Sequence, residues 1–132
     1  MSETAFESIE VGVASHIGRY ADAVVVHAGH DTIYLSGTPG LDANGDIPTD
    51  FAAEARQAWR TVERALSEAG CSLADVVNVR QWLTRAEDIA AYAGVRNEFI
   101  HHKPTFMLGV IPALVWPGIH VEVEVTAVRR PV

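Results

Sequence analysis

Between His120 and Thr126 apolar and polar residues alternate without a break, Val121, Val123 and Val125 against His120, Glu122, Glu124 and Thr126. Side chains of a strand point alternately to its two faces, so this segment sets a row of valines on one side of a sheet and a row of carboxylates on the other. A helical period does not accommodate it. The chain must contain a sheet with one ordinary core face, and the opposite face needs an account of its own.

The layer that covers the core face lies upstream. From Asp50 to Ala69 the residues Phe51, Ala55, Trp59, Val62, Leu66 and Ala69 recur at steps of three and four, while Glu54, Arg56, Arg60, Glu63 and Arg64 fall elsewhere, which predicts an amphipathic helix. Thr49 or Asp50 can accept its orphan amides, and Gly70 stands where a left-handed closing residue is wanted. Residues 76–83 read as a strand. Thr84-Arg85-Ala86-Glu87 fits a capping box that opens a second helix, with Ile89, Tyr92, Arg96, Phe99 and Ile100 on its inner ridge and its end at Lys103-Pro104. Residues 23–27 and 32–36 flank Ala28-Gly29-His30-Asp31 as a strand pair with a short turn, and an earlier strand is expected near residues 9–17. Residues 105–111 and 119–128 supply the last two strands. The order is that of an α+β layer, a mixed sheet with two helices on one face.

The 132 residues show neither repeat nor linker, so a single domain over residues 1–132 is expected. Ten basic against seventeen acidic residues leave a net charge of −7, a field that repels phosphate backbones, and no nucleic-acid partner is expected. A lone Cys71 excludes an internal disulfide and a thiolate zinc cluster. No apolar run approaches the ~20 residues of a membrane span, and Met1-Ser2-Glu3-Thr4-Ala5-Phe6 lacks both a basic start and an apolar stretch. The expectation is a cytoplasmic protein without a membrane partner.

Glu122 and Glu124 are two residues apart on one strand face, with α-carbons ~7 Å apart, close enough to share acid–base work or simply to form a wet strand face. His27 and His30, and the adjacent His101 and His102, lack the spacing of a metal site, so no metal is expected. Arg56, Arg60 and Arg64 form a ridge interleaved with Glu63 and Glu68, the pattern of a salt-bridged solvated face. Gly37-Thr38-Pro39-Gly40 has neither the length nor the lysine of a phosphate cradle, so no nucleotide cofactor, or any other, is expected.

Four segments in order carry a resemblance: Ile17-Gly18-Arg19-Tyr20, Leu35-Ser36-Gly37-Thr38-Pro39-Gly40, Ala69-Gly70-Cys71-Ser72-Leu73-Ala74-Asp75-Val76-Val77, and Val121-Glu122-Val123-Glu124-Val125-Thr126-Ala127-Val128. With the helix between them they resemble the Rid (YjgF/YER057c/UK114) family over nearly the whole chain. The resemblance implies a chorismate-mutase-like fold, a homotrimer around a central barrel, and clefts between subunits in which small enamines or imines are hydrolysed to carbonyl compounds and ammonia. It further implies that Tyr20, Ser36 and Gly37 line the cleft and that Glu122 positions water.

Three positions depart from the family pattern. Phe106 stands where the deaminases carry a carboxylate-gripping arginine, Leu108 where they carry a cysteine, and Ala93 where they carry an asparagine, while the turn before the last strand is one residue longer and includes Trp116. The cleft so implied is apolar, lined by Phe106, Leu108 and Trp116, with Arg96, one turn after Ala93, either a replacement cation or a solvated helix-end residue. Three functions follow: an enzyme acting on a larger or less charged imine, enamine or related electrophile through Glu122; a non-catalytic trimer that binds a small molecule; and, least supported by the charge, an endoribonuclease.

Overall fold

The computed structural model describes residues 4–132; Met1, Ser2 and Glu3, part of the segment read above as neither leader nor anchor, lie outside the described residues. Seven strands and two long helices follow in the order β1 (Phe6–Ile9), β2 (Ala23–Val26), β3 (Asp31–Tyr34), β4 (Thr38–Pro39), α1 (Phe51–Glu68), β5 (Val76–Leu83), α2 (Ile89–Phe99), β6 (Thr105–Val110) and β7 (Val121–Arg129). No helix among the described residues is long and apolar enough to cross a membrane.

α1 forms where its ends are chemically marked. The Asp50 carboxylate accepts the Ala53 N–H at 3.1 Å, and Gly70, at φ 75°, turns the chain so that the Cys71 N–H reaches the Leu66 carbonyl at 2.8 Å. Its inner face, Ala55, Ala58, Trp59, Val62 and Leu66, is completely buried against the valines of β7. Glu54 departs from the expected polar face: it is buried too, because it stands one turn before Ala58 on the same stripe and its carboxylate accepts the His120 N–H at 2.7 Å. That bond ties the start of α1 to the start of β7.

The main sheet runs β3-β7-β5-β6, with β4 beside β3 along the same edge of β7. β7 is antiparallel to its neighbours, β5 and β6 are parallel, and α2 is the crossover that parallel pairing requires. Val121, Val123 and Val125 are buried under the helices; the other face carries Tyr34, Arg80, Trp82, Met107, Glu122 and Glu124 and has no covering layer within the chain. The mixed sheet with two helices on one face is thus as expected, and so is its two-faced last strand.

Three local expectations are corrected. β2 does not pair with β3: β2 pairs with β1, Phe6 opposite Val26, and β3 pairs with β7, Tyr34 opposite Thr126. A β-branched run specifies extended backbone but not its partner, and nine-residue β7 offers β3 a core-facing neighbour that β2 lacks. The first strand is Phe6–Ile9 rather than residues 9–17, because the Asp22 carboxylate accepts the Val11 and Ala14 N–H groups at 2.7 and 2.8 Å and curls that stretch into a loop and a 3-10 turn. These amides also hold the Asp22 carboxyl below the usual carboxylate range. The capping box at Thr84 is absent as well. The Thr84 hydroxyl bonds His120 Nδ1 at 2.8 Å and Arg85 pairs with Asp88 at 2.7 Å, so α2 begins at Ile89 after a 3-10 turn.

Gly40 is where α1 touches the sheet edge. A β-carbon there would lie 2.1 Å from the Glu54 carbonyl oxygen, an overlap that only backbone movement relieves. Gly40→Ala is therefore expected to destabilise the fold by about 3 kcal/mol or more, a Tm loss of roughly 10 °C in thermal unfolding. A change under 2 °C, by the same conversion, would show that α1 is free to shift.

A candidate active site divided between two sheet faces

The side chains singled out from sequence fall into two groups. The first lines a pocket of about 440 Å³ between the loop before β2, α2 and β6, walled by Ile17, Gly18, Tyr20, Ile89, Ala93, Arg96, Phe106, Met107 and Leu108. Tyr20 stacks on Phe106 with ring centroids 5.3 Å apart and planes inclined by 29°. Ile89, expected on the inner ridge of α2, is partly exposed at the pocket, and Val95 is buried in its stead. A larger groove of about 540 Å³ runs past Glu63, Glu98 and His101, but Glu98 is already held by Arg56 at 2.9 Å and nothing else there converges on a ligand.

Arg96 is not a solvated helix-end residue. It is 7% exposed, its guanidinium carbon lies 4.4 Å from the Phe106 ring centroid, and Nη1 reaches Gln81 Oε1 at 3.4 Å. Gln81 Oε1 also accepts a hydrogen bond from the Tyr92 hydroxyl at 2.6 Å, and Gln81 Nε2 donates to the Met107 carbonyl at 3.1 Å. Burial pushes the Tyr92 phenol far above its ordinary range and lowers the Arg96 pKa. Gln81 and Tyr92 were not singled out as site residues, although a glutamine in phase with Val79 and Leu83 on a core strand was the available signal.

The second group is Ser36, Gly37 and Glu122. Gly37 lies directly against the Glu122 carboxylate, where a β-carbon would stand 3.0 Å from Oε1, and Pro39 is the cross-strand partner of Glu122. Glu122 has no ion-pair partner among the described residues, since Arg80 turns to Glu124 at 3.5 Å, and partial burial alone raises the Glu122 carboxyl above the usual carboxylate range. The two glutamates, equivalent in the alternating pattern, are therefore different groups in space.

The register separates the two groups. Val123, Gln81 and Leu108 align across three strands on the helix face, while Glu122, Trp82 and Gly109 align on the open face. Within one chain, then, Glu122 stands on the opposite side of the sheet from Phe106 and Leu108, and two strand spacings away, ~10 Å. Trp116 belongs to neither group: it is half-exposed in the loop of residues 112–118, beside Pro112, Leu114 and His120. No cluster of His, Cys, Asp and Glu suited to a metal occurs among the described residues. Cys71 is partly buried at the end of α1, where desolvation raises its thiol pKa.

The chain is similar to known proteins over most of its length. The family model described as endoribonuclease L-PSP matches residues 13–129. The 2-iminobutanoate/2-iminopropanoate deaminase of Capra hircus is 32% identical over 121 residues, covering 87% of this chain and 83% of the relative, and that of Mus musculus is 33% identical over 124 residues, covering 87% and 84%. Among solved structures, a YjgF/YER057c/UK114 family member from Mycobacterium tuberculosis is 30% identical with a TM-score of 0.66, covering 92% of this chain and 98% of that one.

Proposed function

The chain belongs to the endoribonuclease L-PSP family, the Rid or YjgF/YER057c/UK114 group, and from that premise we propose that it hydrolyses the C=N bond of an imine, or of the imine tautomer of an enamine, in an apolar cleft between two copies of itself. The deaminase relatives support action on imine or enamine compounds. The observation that carries the reading is Glu122, a half-buried carboxyl without a cation to hold it ionised, set against the backbone of Gly37. A carboxyl raised by desolvation holds a proton more readily than an ordinary glutamate and can take one and return it.

In this reading water adds to the imine carbon while Glu122 removes its proton and passes it to the nitrogen. Glu122 then carries the carbinolamine hydroxyl proton to the nitrogen as the C–N bond breaks, leaving a carbonyl compound and ammonia. Backbone groups beside Ser36 and Gly37 polarise the substrate. Tyr20, Phe106 and Leu108 hold its apolar body, which is larger than that of 2-iminopropanoate, while Ala93 leaves room beside them.

Because Glu122 and this pocket face opposite sides of one sheet, the reaction needs the Glu122 of one copy against the pocket of another. A homotrimer supplies that arrangement and covers Tyr34, Trp82 and Met107 on the open face. RNA cleavage has little support: the net charge is −7, and Arg56, Arg80, Arg85, Lys103 and Arg129 each pair with a carboxylate.

The test generates 2-imino-3-phenylpropanoate in situ with an amino-acid oxidase and compares ammonia release with and without the protein, alongside light scattering. Acceleration by a species of about 43 kDa, three times 14.3 kDa, is expected. A stable monomer that accelerates release would remove the divided site, and a trimer that binds the keto product without accelerating release would be a silent binding protein.

A further inference from the structure

Arg56, Arg80, Arg85 and Arg129 each lie within 3.5 Å of a carboxylate oxygen and stay partly exposed. Arg96 has no carboxylate of the described residues within that reach and is buried, at 7% exposure. Its Nε is fully enclosed without a hydrogen-bond partner, and its guanidinium, lying over the Phe106 ring, makes one long hydrogen bond, 3.4 Å, to Gln81 Oε1, which already accepts the Tyr92 hydroxyl at 2.6 Å. The other charge felt at Arg96 is Arg19, a second cation, whose Nη2 is committed to the Ile100 carbonyl at 2.7 Å. An arginine cannot shed its proton to escape burial, and ring faces and a shared amide oxygen leave its charge without an acid, so an anion from outside the chain would find a favourable partner there.

The pocket wall defines what carries that charge. A flat guanidinium matches a planar carboxylate in a bidentate pair, which makes a carboxylate the fitting anion. The remaining surface is Ile17, Leu108 and the stacked Tyr20–Phe106 rings, suited to an aryl-sized body. We infer that Arg96 is the anion-binding residue of the cleft and that its ligand is a carboxylate carried on an aryl-sized apolar body. This rests on the cleft being the substrate site and places the specificity-determining cation on α2.

Titration calorimetry of the assembled protein with 3-phenylpropanoate and with 3-phenylpropanamide, which differ in charge at one end, tests it. Wild type is expected to bind the carboxylate roughly 30-fold more tightly than the amide. Arg96→Met should abolish that difference while leaving amide binding in place, and Arg96→Lys should keep part of it. Equal affinities in wild type, no binding of either compound, or full carboxylate preference in Arg96→Met would overturn the inference. If Arg96→Met does not fold, the wild-type and Arg96→Lys comparison decides. Binding needs no chemistry, so preference for the carboxylate without ammonia release would sink the deaminase reading and leave the role of Arg96 standing.

Discussion

Glu122→Gln is expected to lower kcat for imine hydrolysis by about 10²-fold, with KM little changed, because it keeps the shape of the side chain and removes its capacity to hold a proton. Glu124→Gln should cost far less, since Glu124 is engaged with Arg80 at 3.5 Å and Glu122 is not. The pH profile separates a chemical role from a structural one. A carboxyl raised by desolvation is a base only above its folded pKa, so wild-type activity should fall on an acid limb that lies above the ordinary carboxylate range, and the glutamine variant should lose that limb.

Stability moves in the opposite sense. A carboxyl whose pKa is raised on folding contributes fully below its unfolded pKa, and that contribution is lost as pH rises through the folded value. Glu122→Gln should therefore unfold no more easily than wild type at neutral pH. Equal kinetic losses for the two glutamine variants, or an acid limb that survives in Glu122→Gln, would assign the proton transfer elsewhere.

The second large effect is expected from the aromatic wall. For 2-imino-3-phenylpropanoate against 2-iminopropanoate, kcat/KM should favour the aryl compound by about two orders of magnitude, because burying a phenyl ring removes apolar area that a methyl group does not possess. Both compounds carry a carboxylate, so the ratio isolates the body that meets Phe106 and Tyr20, stacked 5.3 Å apart. Phe106→Leu keeps the pocket apolar but removes the ring face, and should cut the preference about tenfold while leaving the small substrate almost unaffected. Ammonia release with each substrate, in each protein, gives the four numbers. Rapid turnover of 2-iminopropanoate by wild type would show that the wall selects nothing.

Patterns of three and four residues, a cap at Asp50 and a closing glycine at Gly70 determined α1, and strict alternation determined that β7 has two unlike faces. These are local matters, decided by backbone geometry and by which side chains must leave water, and the sequence alone carries them. The four resembling segments likewise identified the family, and the first of them contains Ile17, Gly18 and Tyr20 of the pocket wall. Partner choice was different. Only the assembled sheet decided that β3 joins β7 rather than β2, because extended runs of similar composition differ in what they can cover and not in what they are. Tertiary structure also decided the electrostatics: which of two equivalent glutamates lost its cation to the other, that Glu54 is buried against the His120 amide, and that Arg96 folds inward over Phe106. Each depends on distances of a few ångströms between residues tens of positions apart, and a charge is stabilised or stranded by such neighbours rather than by its place along the chain.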